Sequence, residues 1–240
     1  MSQKQRVDQQ PAFVLHTYPW RETSLIVEML SRDYGRVALV AKGARRPLSA
    51  LRGVLMAFQP LLVDWSGGGE VKTLVRAEWR GGQPLLAGKA LMCGYYVNEL
   101  LVRLTAREDP HGPLFDAYAD ALAALGRNQS PAPILRRFEL ALLRELGYGI
   151  GADLAGGADD TVDPDQLYVY IIEKGPVPVD NEPSDAPAVS GRTLLDMAQG
   201  DFSRPETLLQ SKALLRMLIN HYLGGQPLQS RRMLKELQEL

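Results

Sequence analysis

Apolar residues gather in short strand-like runs as far as Trp79, and from Pro84 onward they recur every third or fourth residue. This change of period limits the fold more than any other feature, because side chains alternate along a strand and return every 3.6 residues around a helix. The segments "AFVLHTY" (12–18), "TSLIVEML" (23–30), "RVALVAK" (36–42), "GVLMAFQPLLVDW" (53–65) and "EVKTLVRAEW" (70–79) read as five strands. A turn on Pro19, the "RDYG" turn ending in Gly35 and the "SGGGE" loop separate several of them. Pro60 implies a bend or bulge in the fourth segment. Five such strands with no long helix among them predict a small closed barrel, an OB-fold with an SH3-like barrel as its competitor.

The remainder reads as helices. "PLLAGKALMCGYYVNELLVRLTA" (84–106) carries Leu86, Ala90, Leu91, Tyr95, Val97, Leu101 and Leu104 at helical spacing. "PLFDAYADALAALG" (113–126) and "SPAPILRRFELALLRELGYG" (130–149) follow, the latter with Ser130 at a capping position and prolines in its first turn. An acidic, Gly-rich loop (149–166), a strand "LYVYIIE" (167–173) and a loop with strand fragments (177–191) precede two closing helices, 205–225 and 230–240. The fold class is therefore α+β. Residues 1–80 form the OB-fold, 81–150 and 191–240 a helical domain, and 151–190 an acidic loop-and-strand insertion.

Composition narrows the function. No run of 18 apolar residues exists, and "MSQKQRVDQQPAF" has no apolar signal core, so a cytoplasmic location is expected. A single cysteine, Cys93, fits a reducing compartment and lies inside the first helix as a core residue. His16, His111 and His221 are scattered and give no metal-ligand spacing. No nucleophile elbow, phosphate loop or zinc spacing is present, so no enzyme activity and no cofactor are expected. Asp159, Asp160, Asp163 and Asp165 supply oxygen ligands for a hard cation, but not in calcium-loop register, and read as a solvated loop.

The charge distribution is more informative. The net charge is -1, yet residues 1–80 hold 12 Lys+Arg against 7 Asp+Glu, while residues 150–206 hold 3 against 12. Between Asp33 and Asp64 there is no acid at all, whereas Arg36, Lys42, Arg45, Arg46 and Arg52 supply five positive charges. Ordinary surfaces intersperse the two signs. A strand running out into a loop at Lys42 projects Arg45 and Arg46 from the barrel rim, where guanidinium forks match phosphate oxygens. Together with Lys72 these residues form a candidate nucleic-acid contact. Trp20 and Tyr34, both in turns, are candidates for stacking on bases. On the helix "ILRRFELALLREL", Arg136 and Arg137 beside Phe138 and Leu142 suit an acidic, apolar peptide. On the residues alone the same stripe reads first as the core of a helical bundle.

The segments "AFVLHTYPWRETSLIVEML", "GRVALVAKGARRPLSALRG", "GEVKTLVRAE", "YYVNELL", "LRRFELALLRELGYG" and "YLGGQPLQSRRML" together resemble the RecO family of bacterial recombination mediators. That resemblance implies an OB-fold that binds single- and double-stranded DNA, and a helical domain. It also implies annealing of complementary strands and, with RecR, loading of RecA onto single-stranded DNA coated by single-stranded DNA-binding protein (SSB). It implies too that the acidic tail of SSB docks on the helical domain, here at Arg136, Arg137, Phe138 and Leu142. An adaptor in which the barrel is only a scaffold, and an RNA-binding OB-fold protein, are the alternatives. Many relatives carry a C-x2-C…C-x2-C zinc module after the third helix, whereas residues 149–170 contain no cysteine. The purified protein is accordingly expected to carry no zinc, and stoichiometric zinc by atomic absorption would refute this.

Overall fold

A computed structural model describes residues 6–148, 162–179 and 186–238. Five strands, β1 (Arg6–Trp20), β2 (Ser24–Ser31), β3 (Gly35–Ala41), β4 (Pro60–Ser66) and β5 (Val71–Trp79), close a barrel in the order β1-β2-β3-β5-β4. All neighbours are antiparallel except β3 and β5, which pair in parallel through Ala38–Val40 and Val71–Thr73. This is the OB-fold expected from the sequence. Val27, Met29, Val37, Leu39, Leu61, Val63 and Trp65 fill its interior, and each such side chain contributes about 1.5–3 kcal/mol through removal from water.

The strands differ from expectation in two places. β1 begins at Arg6, because the polar stretch ahead of Pro11 pairs with β4 as far as Ser66. A bulge there, with Gln9 at φ 56°, is held by the Gln9 amide donating to the buried Asp64 carboxylate at 2.7 Å. The segment from Gly53 to Gln59 is not strand. A single helical turn, α1 (Leu51–Val54), leads into an irregular link with Phe58 at φ 67°, and β4 starts at Pro60, whose missing N–H is tolerated at a strand end.

Two compact units make up the chain, Met1–Gln129 with Leu228–Leu240, and Ser130–Pro227. These cut across the segments anticipated from the sequence, because the first two long helices join the barrel. α2 (Gly88–Leu104) and α3 (Gly112–Gly126) cover the outer face of β1. Phe13 meets Phe115 and Tyr118 at ring separations of 5.4 and 5.1 Å. Buried Asn98 donates to the Leu15 carbonyl at 2.8 Å and accepts from the Tyr118 hydroxyl at 2.6 Å, while burial pushes that phenol's pKa far up. α7 (Gln229–Gln238) returns to α2, where the Glu99 carboxylate accepts from the Gln229 and Ser230 amides and the Ser230 hydroxyl.

The turn into β3 is fixed by Gly35 at φ 63°, where a Cβ would overlap the Asp109 backbone. The segment after α2 runs against β3 here, with the Glu108 amide donating to the Arg36 carbonyl at 2.9 Å. Glu28, on β2, is buried between two guanidinium groups, Arg36 at 2.9 Å and Arg107. Arg36 also donates to the Thr105 carbonyl at 2.9 Å.

In the second unit, α4 (Pro131–Glu145) and α5 (Gly191–Gln199) pack on α6 (Pro205–Tyr222), beside a three-stranded sheet ordered β7 (Gly175–Pro178), β6 (Leu167–Ile171), β8 (Ala188–Ser190). Helix α5 was not expected from the sequence, although Ser190 caps it by accepting from the Thr193 amide at 3.2 Å and Gly200 ends it at φ 70°. Ser130 stands at the N-cap of α4 without a side-chain capping bond.

Replacing Glu28 with Gln leaves two guanidinium groups without a counter-charge, and stability is expected to fall by about 3 kcal/mol, read from the urea midpoint. Burial raises the Glu99 pKa, but the bonds from Ser230 and Gln229 outweigh it and hold the carboxyl below its ordinary value. Its contribution is thus complete above the unfolded pKa of about 4.3 and is lost as pH falls through the lower folded value. Release of α7 from α2, followed by hydrogen exchange, is expected in that acid window and not above pH 5.

Candidate nucleic-acid interface

The loop after β3 is built from successive tight turns. Ala44 is buried in the end of the barrel and thereby turns its neighbours Arg45 and Arg46 outward. Gly43, at φ 69°, lets the chain leave the strand, and its amide donates to the Ser24 hydroxyl at 3.4 Å. The Arg45 amide donates to the Thr23 carbonyl at 2.8 Å, which ties the loop to the β1–β2 turn. Further backbone bonds, Arg46 to Gly43 and Ser49 to Arg46 at 3.1 Å each, carry the chain into α1, where Arg52 is exposed.

The β1–β2 turn supplies the other wall. Arg21 adopts φ 51°, and its guanidinium stands 6.0 Å from the centre of the Trp20 ring. Trp20 and Tyr18 occupy alternate positions on the outer face of β1 and are each 43% exposed. His16 continues that row, 4.4 Å from the Tyr18 ring. Between turn and loop lies an open groove of about 540 Å³, lined by Trp20, Ser24, Val40, Lys42, Arg46 and one acid, Glu22.

The decisive electrostatic feature is which cations are already neutralised. Arg21, Lys42, Arg45, Arg46 and Arg52 are exposed, and none forms an ion pair among the described residues. The Arg45 guanidinium donates to the Arg21 carbonyl at 3.4 Å. Two expected members are withdrawn from this group. Arg36 is committed to Glu28 and to the Thr105 carbonyl. Lys72 is 8% exposed and paired with Glu108, so it presents no free charge at the rim. Tyr34 is not an exposed platform either. It is half-buried, packing edge-on against Trp65 at 5.3 Å and against the barrel core. Arg21 and Tyr18 were missed in the sequence, though the period-two row His16, Tyr18, Trp20 was there to be read.

The peptide site expected on α4 is also rearranged. Phe138 and Leu142 are fully buried, and Arg136 turns inward to Glu139 at 2.6 Å. Only Arg137 is exposed, and its Nε donates to the Gly200 carbonyl at 3.2 Å. Ile134, Phe138, Leu142 and Leu143 are buried on a helix that packs on α6, so the apolar stripe is core. Among the described residues no three His, Cys, Asp or Glu side chains are grouped to hold a metal, and no helix is long and apolar enough to cross a membrane. Asp163 accepts from the Asp165 amide at 2.9 Å, while Asp159 and Asp160 lie outside the described residues.

Comparison with known proteins bears on this surface. Residues 3–82 match the family described as Recombination protein O N terminal, and residues 86–232 match Recombination protein O C terminal. The chain is 80% identical to the DNA repair protein RecO of Aromatoleum aromaticum and 70% identical to that of Azoarcus sp., in both cases over the whole of each chain. It is 55% identical to the DNA repair protein RecO of Dechloromonas aromatica, again over both full lengths. The barrel with its unpaired cationic rim, and the helices and small sheet that follow, thus coincide with the two matched regions, and the chain belongs to the Recombination protein O family.

Proposed function

We propose that this chain is a DNA-binding recombination mediator that acts in DNA repair without catalysing a bond-breaking reaction. In this reading it holds single-stranded DNA on the barrel rim, anneals complementary strands, and with RecR helps to load RecA onto strands coated by SSB. The observation that carries the proposal is the set of five exposed cations without an ion pair among the described residues, Arg21, Lys42, Arg45, Arg46 and Arg52, of which Arg21, Lys42 and Arg46 line a groove that also presents Trp20. Each phosphate they neutralise releases condensed counterions, and an aromatic face stacks on any base.

Annealing follows from the same surface. Two polyanionic strands repel one another, and a positive rim that holds both lowers that repulsion and raises their local concentration. Base pairing itself then drives the reaction, so no nucleotide hydrolysis is required. The duplex formed has its bases stacked inward, which removes the contact with Trp20 and favours release of the product.

For five phosphate contacts on a single strand, log affinity is expected to fall against log salt with a slope of about -3.5. Reversing two of them in the double variant Arg45→Glu, Arg46→Glu is expected to flatten the slope to about -2 with unchanged circular dichroism, because both side chains are exposed. The same variant is expected to slow annealing of SSB-coated complementary oligonucleotides. Unchanged binding across the salt titration would remove the proposal.

A further inference from the structure

The free charge of the barrel rim is not all inside the groove. Arg21, Lys42 and Arg46 line it, whereas Arg52 stands outside it on α1. Strand β3 has β2 on one side and β5 on the other, and α1, which follows the loop after β3, packs on β5. The connection from Gly43 to Leu55 therefore has two flanks. The β1–β2 turn with Trp20 occupies the first, and the end of β5 occupies the second.

The second flank repeats the composition of the first. Trp79, the last residue of β5, is 60% exposed, the most exposed of the three tryptophans. Arg80 follows it, exposed and without an ion pair among the described residues. The Arg80 amide donates to the Pro60 carbonyl at 2.9 Å, so this edge stays pinned to β4 up to the guanidinium. The preceding acid, Glu78, is taken by Arg76, and no further acid occurs in the sequence until Glu99. Met56, just beyond α1, is exposed as well.

The Trp79 ring is also held in place. Its Nε1 donates to the Gln59 Oε1 at 3.2 Å, and Gln59 is buried, with its Nε2 lacking a hydrogen-bond partner among the described residues. Gln59 follows Phe58, whose φ of 67° is rare for an aromatic residue and whose carbonyl accepts from the Gln83 Nε2 at 2.9 Å. A buried amide left half-satisfied and a strained link both cost stability. What they secure is an exposed indole of fixed orientation, followed at once by a free guanidinium. A flat face for a base and a fork for a phosphate are what a single strand requires.

Resting on the nucleic-acid reading of the rim, we propose that Trp79 and Arg80, with Arg52 between the two flanks, hold a second single strand while the Trp20 groove holds the first. The two strands then lie on either side of one cationic connection, close enough to meet without sharing a groove. The second platform has fewer free cations than the first, so stacking carries more of its hold. Stacking is indifferent to sequence, which lets this strand shift register until it matches its complement. Pairing turns the bases inward and removes them from both indoles at once.

The test uses the full chain with short oligothymidine and, separately, with complementary strands free of other proteins. Sedimentation is expected to count two oligothymidines per wild-type chain. The double variant Trp79→Ala, Arg80→Glu is expected to bind one, with circular dichroism unchanged because both side chains are exposed. In that variant annealing is expected to slow about tenfold, while the affinity for the first oligothymidine stays within about twofold and keeps its salt dependence. Trp79→Phe, which retains a flat face, is expected to keep most of the annealing rate. One oligothymidine per wild-type chain, or annealing by the double variant at the wild-type rate, would overturn the proposal. Equal losses in first-strand affinity and in annealing would overturn it in favour of one continuous path past Arg52. A dimer of the chain that Trp79→Ala dissociates would overturn it in favour of self-association. Reversal of Arg45 and Arg46 keeps the two readings apart. If that reversal leaves all binding unchanged, the rim proposal fails and this one with it. If it weakens first-strand binding while the Trp79 and Arg80 variant anneals as wild type, only the second strand's platform fails.

Discussion

The buried Glu28 carboxylate organises the first unit. It gathers Arg36 from β3 and Arg107 from the segment after α2 against one face of the barrel, so it joins barrel and helices by charge where apolar packing alone would allow sliding. Taking charges out of water is costly, and such a site persists only when each member is paired and hydrogen-bonded. Here the Thr105 carbonyl completes the shell of Arg36. Lys72 and Glu108 repeat the device one strand away.

This pairing also sorts the basic residues into two kinds. Those near the helices spend their charge on the fold, and those at the far rim, held outward by Ala44 and the Arg45–Thr23 bond, keep theirs. A count of cations along the sequence blends the two, which is why Arg36 and Lys72 look like ligands of a polyanion and are structural ions. The surface that remains is smaller than the sequence suggests but denser, because Arg21 enters it from the neighbouring turn.

Much of the fold is legible in sequence because its signals are local. Period-two runs mark the strands, Gly35 marks the turn it makes, and helical spacing marks α2, α3, α4 and α6. What is missed depends on partners far along the chain. Arg6–Pro11 is too polar to announce a strand, and it becomes one only because β4 lies beside it. Glu28 and Arg107 are 79 residues apart, and no window in the sequence connects them. Tyr34 sits in a turn, where exposure is the natural expectation, but the turn folds back over Trp65. On α4 the spacing of Arg136 and Glu139 permits a pair, yet whether that pair faces water or is buried is decided by packing.

The first unit is discontinuous, and this has a consequence for biosynthesis. Everything from Ser130 to Pro227 must leave the ribosome before α7 can reach α2. At about 5–20 residues per second, those 98 residues take roughly 5–20 s to make. For that interval Tyr96, which later meets Arg231, and Glu99, which later caps α7, face outward on a nascent barrel whose last element does not yet exist. The final seal on the oldest part of the chain is therefore applied by its youngest.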